Sequence, residues 1–132
     1  MSIEAKHWLS YARDDLAVAR MCLGVALWNP CLQNAQQTVE KSLKGLRSRK
    51  GLSEKRIHDI RILRRDLAAS GMPVELSEDE AELLDSIFMD SKYPGHGVLP
   101  DGPPDEATCQ QCVAIAERVF AQACRECEEP LV

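Results

Sequence analysis

At 132 residues the chain is about one domain, long enough to bury roughly two-thirds of the surface its unfolded form exposes, so it needs no metal or disulfide staple to fold. With 45% hydrophobic and 28% charged residues it is not a disordered chain, and its six aromatic residues leave the core to Leu, Ile, Val, Ala and Cys, which favours helices over sheets. No stretch approaches the ~20 apolar residues of a membrane span, and the start MSIEAKHWLSYARDD is too charged for a signal peptide, so the expectation is a cytoplasmic protein with reduced cysteines. The net charge of −5 hides a polarity: residues 1–70 carry +6 and residues 71–132 carry −11, with ten basic and two acidic residues between Lys41 and Arg65. Such a chain can bind phosphates with one end or pair its two ends within a dimer.

A first helix is predicted from about Ile3 to Leu27, because Ala5, Trp8, Leu9, Ala12, Leu16, Ala19, Leu23 and Ala26 step by three and four into one apolar stripe. Trp28-Asn29-Pro30 reads as a break and a restart, with Asn29 as N-cap and Pro30 at the first helical position. The second helix then runs to about Arg49 with Cys31, Leu32, Ala35, Val39, Ser42, Leu43 and Leu46 inward, and Gly51 stops it. The short link makes these two helices an antiparallel hairpin.

After a loop over 51–56, Asp59 caps a shorter third helix that buries Ile60, Leu63 and Leu67 and ends near Ser70-Gly71. Ser77-Glu78-Asp79-Glu80 is a capping box, and the fourth helix it opens turns Leu83, Leu84, Ile87 and Phe88 inward and stops before Tyr93-Pro94. Residues 94–104 hold four prolines and three glycines and form a loop. The last helix starts near Pro104-Asp105 and runs to about Cys127, with Cys109, Val113, Ala116, Phe120 and Ala123 on one face. The fold class is all-α: an up-and-down four-helix bundle with one additional short helix, in a single domain.

Cys109-x2-Cys112 and Cys124-x2-Cys127 have zinc-site spacing, but they fall in one predicted helix. Cys112 and Cys124 are then about 18 Å apart, at 1.5 Å per residue, too far to share a metal. The bland reading takes them as small core residues or surface thiols, and no metal site is expected. The acidic helix with Glu78, Asp79, Glu80, Glu82 and Asp85 lacks histidine at bundle-facing spacing and reads as a solvated face. No Gly-rich phosphate loop, His-Glu-x-x-His pair or nucleophile elbow is present, and no cofactor is expected.

The second helix sets polar residues close to its apolar stripe, and Lys41, Lys44, Arg47 and Arg49 are candidates to line a phosphate-binding surface, against the bland alternative of a solvated helix face. Gly45 inside that helix costs about 1 kcal/mol relative to Ala and suits close approach of another helix.

Gln36-Gln37-x2-Glu40-Lys41-x-Leu43-Lys44, preceded by Ala12-Arg13-Asp14-Asp15-Leu16, resembles the paired opening helices of HEPN domains. His58-Asp59-Ile60 is similar to the His-Asp-Leu start of that family's third helix, and Lys92-Tyr93-Pro94 to its Arg-Tyr-Pro segment. The resemblance spans about residues 7–120. It implies a helical bundle, commonly a homodimer, working on a nucleotide or RNA ligand beside a nucleotidyltransferase partner. On that resemblance, Lys41, Lys44, Arg47, His58, Lys92 and Tyr93 are the candidate nucleotide- or phosphate-binding residues, with Tyr93 stacking on a base. His58 and Tyr93 also have plain structural readings, as a packed loop histidine and a helix terminator. Some HEPN proteins are metal-independent ribonuclease toxins of toxin–antitoxin pairs that use Arg, four to six residues, then His. The histidines at 7, 58 and 96 have no arginine at that spacing; Arg56 is too close to His58, and Lys92-x3-His96 has Lys in place of Arg and one residue too few. The expectation is therefore a non-catalytic binding module, with a pure protein-interaction module as the alternative.

Overall fold

The computed structural model describes residues 3–52, 57–89 and 97–128, and it is the all-α bundle the periodicity predicts. Five helices follow in order: α1 (Ile3–Gly24), α2 (Trp28–Arg49), α3 (Ile60–Ala69), α4 (Glu78–Asp85) and α5 (Glu106–Glu128). No β-strand occurs among the described residues.

The three long helices carry the core. Cys109 of α5 donates its thiol to the Trp28 carbonyl at one end of α2, and Cys127 lies against the Gly45 carbonyl toward the other, so α2 and α5 run parallel. Helix α1 forms the antiparallel hairpin with α2 and is tied to α5 by an Arg20–Glu117 ion pair of 2.9 Å. Leu32, Leu43, Leu46 and Ile115 are fully buried among them. Gly45 has the role its position suggested: a Cβ there would stand 3.2 Å from Leu9 Cδ2, so its absence lets α1 close on α2.

Short α3 descends beside the second half of α2, where Asp66 meets Arg47 at 2.9 Å, and α4 returns along α3 until Asp85 reaches the Ile60 amide. The caps are those of the sequence. Asp59 accepts from the Arg61 and Ile62 amides, and Ser77 with Glu80 completes the capping box. Gly51 (φ 72°) and Gly71 (φ 88°) stand just past the C-caps of α2 and α3, where the left-handed backbone favours glycine.

Three local expectations are corrected. The first helix ends at Gly24, not Leu27: Leu27 N–H donates to the Cys22 carbonyl and Ala26 N–H to the Leu23 carbonyl, a Schellman closure that puts Ala26 at φ 60°. Asn29 is not the cap of α2, which starts at Trp28 after Leu27 without a side-chain cap; Asn29 Oδ1 instead accepts from the Val98 amide at 3.1 Å, pinning the loop before α5. Phe88 is not turned fully inward but stays 38% exposed, because α4 ends at Asp85 and the chain turns away.

No helix among the described residues is long and apolar enough to cross a membrane.

Candidate functional site

The outward edge of α2 carries polar side chains that the hairpin leaves uncovered, and the segment entering α3 climbs back to meet them. An open cavity of about 650 Å³ results, lined by Gln36, Gln37 and Glu40 of α2, His58 and Asp59 before α3, and Asp85, Ile87 and Met89 at and beyond the end of α4. That volume lies in the range of small-molecule sites. Two of the three family-like motifs, Gln-Gln-x2-Glu and His-Asp, converge on it.

At its rim Glu40, almost wholly buried, lies 3.4 Å from Lys44 Nζ and 3.4 Å from His58 Nδ1. Lys44 Nζ is also 3.1 Å from His58 Nδ1 and 5.1 Å from the centre of the Trp8 ring. Nδ1 accepts from the Lys44 ammonium in one tautomer, with the ring proton on Nε2, and donates to the Glu40 carboxylate in the other. The His58 side chain is 70% exposed, so Nε2 is open to a partner arriving at the rim. This departs from a packed loop histidine.

Behind the rim lies a carboxylate pair. Asp85 Oδ1 accepts from the Ile60 amide at 2.8 Å and Oδ2 from the Arg61 amide at 3.1 Å, so α4 caps α3 from outside. Burial, reinforced by the neighbouring Asp59 carboxylate, pushes Asp85 up to about 6 against the pull of those amides. Asp59 is held below the usual carboxylate range, first by the hydrogen bond from Asp85 and then by the Ile62 and Arg61 amides. Below about pH 6 the pair thus holds a proton at the start of α3, on the Asp85 side. Reading the acidic helix as a solvated face missed this: Asp85 is turned to α3, Glu78 binds Arg64 and Arg65, and Glu80 binds Arg118.

The basic stretch is corrected as well. Arg47 is buried, with its guanidinium on Asp66, and lines no open surface. Lys41 turns to α1, where Nζ donates to Asp15 Oδ2 at 2.6 Å and lies 5.9 Å from the Tyr11 ring centre. Of the described candidate residues, only Lys44 and His58 are brought together. Lys92 and Tyr93 lie outside the described residues, as do Arg56 and His96.

No disulfide joins the six cysteines, and all but Cys124 are buried. Burial, with Cys31 close by, pushes Cys109 and Cys112 up to about 12, so neither is a ready thiolate. Among the described residues no group of three or more His, Cys, Asp or Glu side chains is placed to hold a metal ion.

Comparison with known proteins adds three findings. The model of the HEPN domain matches residues 5–127. The crystal structure of ST0689, an archaeal HEPN homologue, is similar at TM-score 0.70 with 25% identity, over 97% of this chain and 100% of that one. The crystal structure of TT1696 from Thermus thermophilus is similar at TM-score 0.74 with 27% identity, over 95% of this chain and 99% of that one. No curated protein matches.

Proposed function

We propose a function within the family to which this chain belongs, the HEPN domain family: a non-catalytic module that binds a nucleotide, free or at an RNA end, and acts as a homodimer beside a nucleotidyltransferase. One observation carries this reading. Residues far apart in sequence, Gln36, Gln37, Glu40, His58, Asp59 and Asp85, meet around one cavity of nucleotide size. Among the described residues the lining is rich in acceptors and amides and holds no lysine or arginine, so the base edge, with its N–H donors, enters the cavity. Phosphate then stays at the rim, where Lys44 and the exposed His58 ring stand. Lys92 and Tyr93 remain in the proposal on their sequence resemblance alone. Arg47 leaves it.

The test is a thermal-shift screen of the full chain against nucleoside mono-, di- and triphosphates and short RNAs. A ligand at about a hundred times its dissociation constant adds roughly 2.7 kcal/mol of stability, which moves the melting point by several degrees. The shift should shrink in His58→Ala, whose exposed ring can be removed without opening the core. Absence of any shift sinks the nucleotide reading, and RNA cleavage by the purified chain sinks its non-catalytic part.

A second reading, a pure protein-interaction module, is favoured by the engagement of Lys41 and Arg47 with Asp15 and Asp66. It predicts no nucleotide shift but retained self-association.

A further inference from the structure

Two deeply placed side chains of α2 line the cavity with part of their hydrogen-bonding capacity unused. Gln36 and Glu40 stand one helical turn apart on the same face, and each is only 5% exposed. An amide and a carboxylate at that depth are costly to leave without partners. Glu40 Oε2 meets Lys44 Nζ and His58 Nδ1, each at 3.4 Å, while Oε1 has no partner among the described residues. Gln36 Oε1 accepts from Gln37 Nε2 at 2.8 Å, while Gln36 Nε2 donates to none of the described residues. Both unused atoms touch open space, since the unpaired polar side-chain atoms sealed from it among the described residues belong to Ser42, Arg49 and Arg61. An acceptor and an N–H2 donor thus stand side by side in the wall, complementary to a ligand that carries donors beside an acceptor.

The pairing edge of a base is read by such a pattern. Guanine carries N1–H and N2–H next to one another, then the acceptor O6. Adenine sets its N6–H2 beside the lone pair of N1, cytosine its N4–H2 beside that of N3, and uracil its single N3–H between two carbonyls. A carboxylate has acceptors only, and it pairs best with two parallel N–H groups. On the pairing edge guanine alone among the four offers that fork; with the others a lone pair of the base faces the Glu40 charge. Oε2 has room for it: in the tautomer in which Nδ1 accepts from Lys44, His58 takes no site on that oxygen. On the far side of N1–H, the guanine O6 comes to the Gln36 amide. Residues four apart on a helix have Cβ atoms about 5–6 Å apart, close to the width of that edge.

We infer that the cavity is a guanine pocket, in which Glu40 accepts N1–H and N2–H and Gln36 donates to O6. This rests on the nucleotide reading proposed above and adds the base to it. The test is calorimetric titration of the full native chain with GDP, ADP, CDP, UDP and inosine diphosphate. GDP should bind roughly tenfold or more tighter than ADP, CDP and UDP, the discrimination of one bidentate pair. Inosine diphosphate, which lacks only the N2 amine, should bind roughly fivefold more weakly than GDP. Glu40→Gln sets an N–H2 against the two base donors and should bring GDP down to the level of ADP, at unchanged helicity by circular dichroism. Gln36→Met, which removes the O6 donor, should weaken GDP roughly fivefold. The native-chain comparisons decide the matter even where a variant fails to fold. GDP and ADP binding alike overturns the guanine pocket and leaves the nucleotide reading standing. Inosine diphosphate binding as tightly as GDP overturns the Glu40 fork, and GDP affinity unchanged in a folded Gln36→Met chain overturns the O6 contact. Binding of none of the five sinks the nucleotide reading itself, and the guanine pocket with it.

Discussion

Replacing Asp85 by asparagine should shift stability in a pH-dependent way whose sign follows from the carboxylate pair. The Asp85 side chain is only 15% exposed, and its pKa rises from an ordinary 3.8 to about 6 in the fold. A folded-state pKa raised above the unfolded one means the native state holds the proton more tightly. The stability this contributes is complete below about 3.8 and is lost as pH rises through about 6. At about 1.4 kcal/mol per pK unit the whole loss is at most about 3 kcal/mol, with some 2 kcal/mol of it falling between about pH 4.5 and 7.5. Asp59 works in the opposite sense, since its depressed value gives stability that is lost only as pH falls below the ordinary carboxylate range. Asparagine at 85 keeps an oxygen for the Ile60 amide and an N–H for Asp59; it loses the acceptor for the Arg61 amide, a cost that does not vary with pH, and it never ionises. Urea unfolding followed by circular dichroism should therefore show the variant gaining on the native chain by about 2 kcal/mol across that window. Asp85→Ala, which orphans the buried Ile60 amide, should lie about 1–3 kcal/mol below the asparagine variant at both ends of it. A stability gap between native and asparagine chains that stays flat with pH would refute the proton held on Asp85.

Other changes test the frame around the site. Ala26→Gly should raise stability by roughly 0.5–1 kcal/mol, because Ala26 is an exposed alanine held at φ 60° where glycine is unstrained; unchanged urea midpoints would count against the strain. Gly45→Ala should be close to neutral, its helix propensity offset by the 3.2 Å approach to Leu9, whereas Gly45→Val should cost about 2 kcal/mol or more by driving α1 off α2; equal melting points for the two would contradict the close approach. Of the six thiols only Cys124 should react promptly with a disulfide reagent in the native chain, the others titrating on unfolding; fast labelling of Cys109 or Cys112 would overturn their burial.

What was legible in the sequence is what neighbouring residues decide. Asp59, Ser77 with Glu80, Gly51 and Gly71 each act within one helical turn, and each was found where its type and spacing put it. What escaped was decided across the fold. Asn29 looks like a cap because it precedes proline, but its partner is the Val98 amide on another segment. Ala26 continues the apolar stripe by spacing, yet the hairpin turns there and takes it out of the helix. Asp85 sits among acids that mark a solvated face, and only the return of α4 to the start of α3, 25 residues earlier in the chain, gives it two amides and a neighbouring carboxyl. Arg47 reads as one more cation on a basic helix until α3 supplies Asp66.

That last class of miss bears on how a ligand would be held. The sequence polarity, +6 in one half and −11 in the other, suggests a cationic surface waiting for phosphate. In the fold part of the contrast is consumed by pairs between the halves, Arg20 on Glu117, Arg61 beside Asp85, and Arg64 and Arg65 on Glu78, while Lys41 on Asp15 and Arg47 on Asp66 engage two more of the cations within the basic half. A protein that tracks a nucleic-acid backbone displaces a counterion with each phosphate it neutralises, and its affinity falls with salt at a slope of about 0.7 per single-strand contact on a log–log plot. A cavity lined by amides and carboxyls, with Lys44 and His58 at its rim, neutralises one phosphate, or two at most. Nucleotide affinity measured by calorimetry should therefore change with salt at a slope of about 1, and lengthening an RNA ligand should not steepen it. A slope that grows with RNA length would mean that the chain grips backbone phosphates with cations outside this cavity, and the base-edge reading of the site would have to be given up.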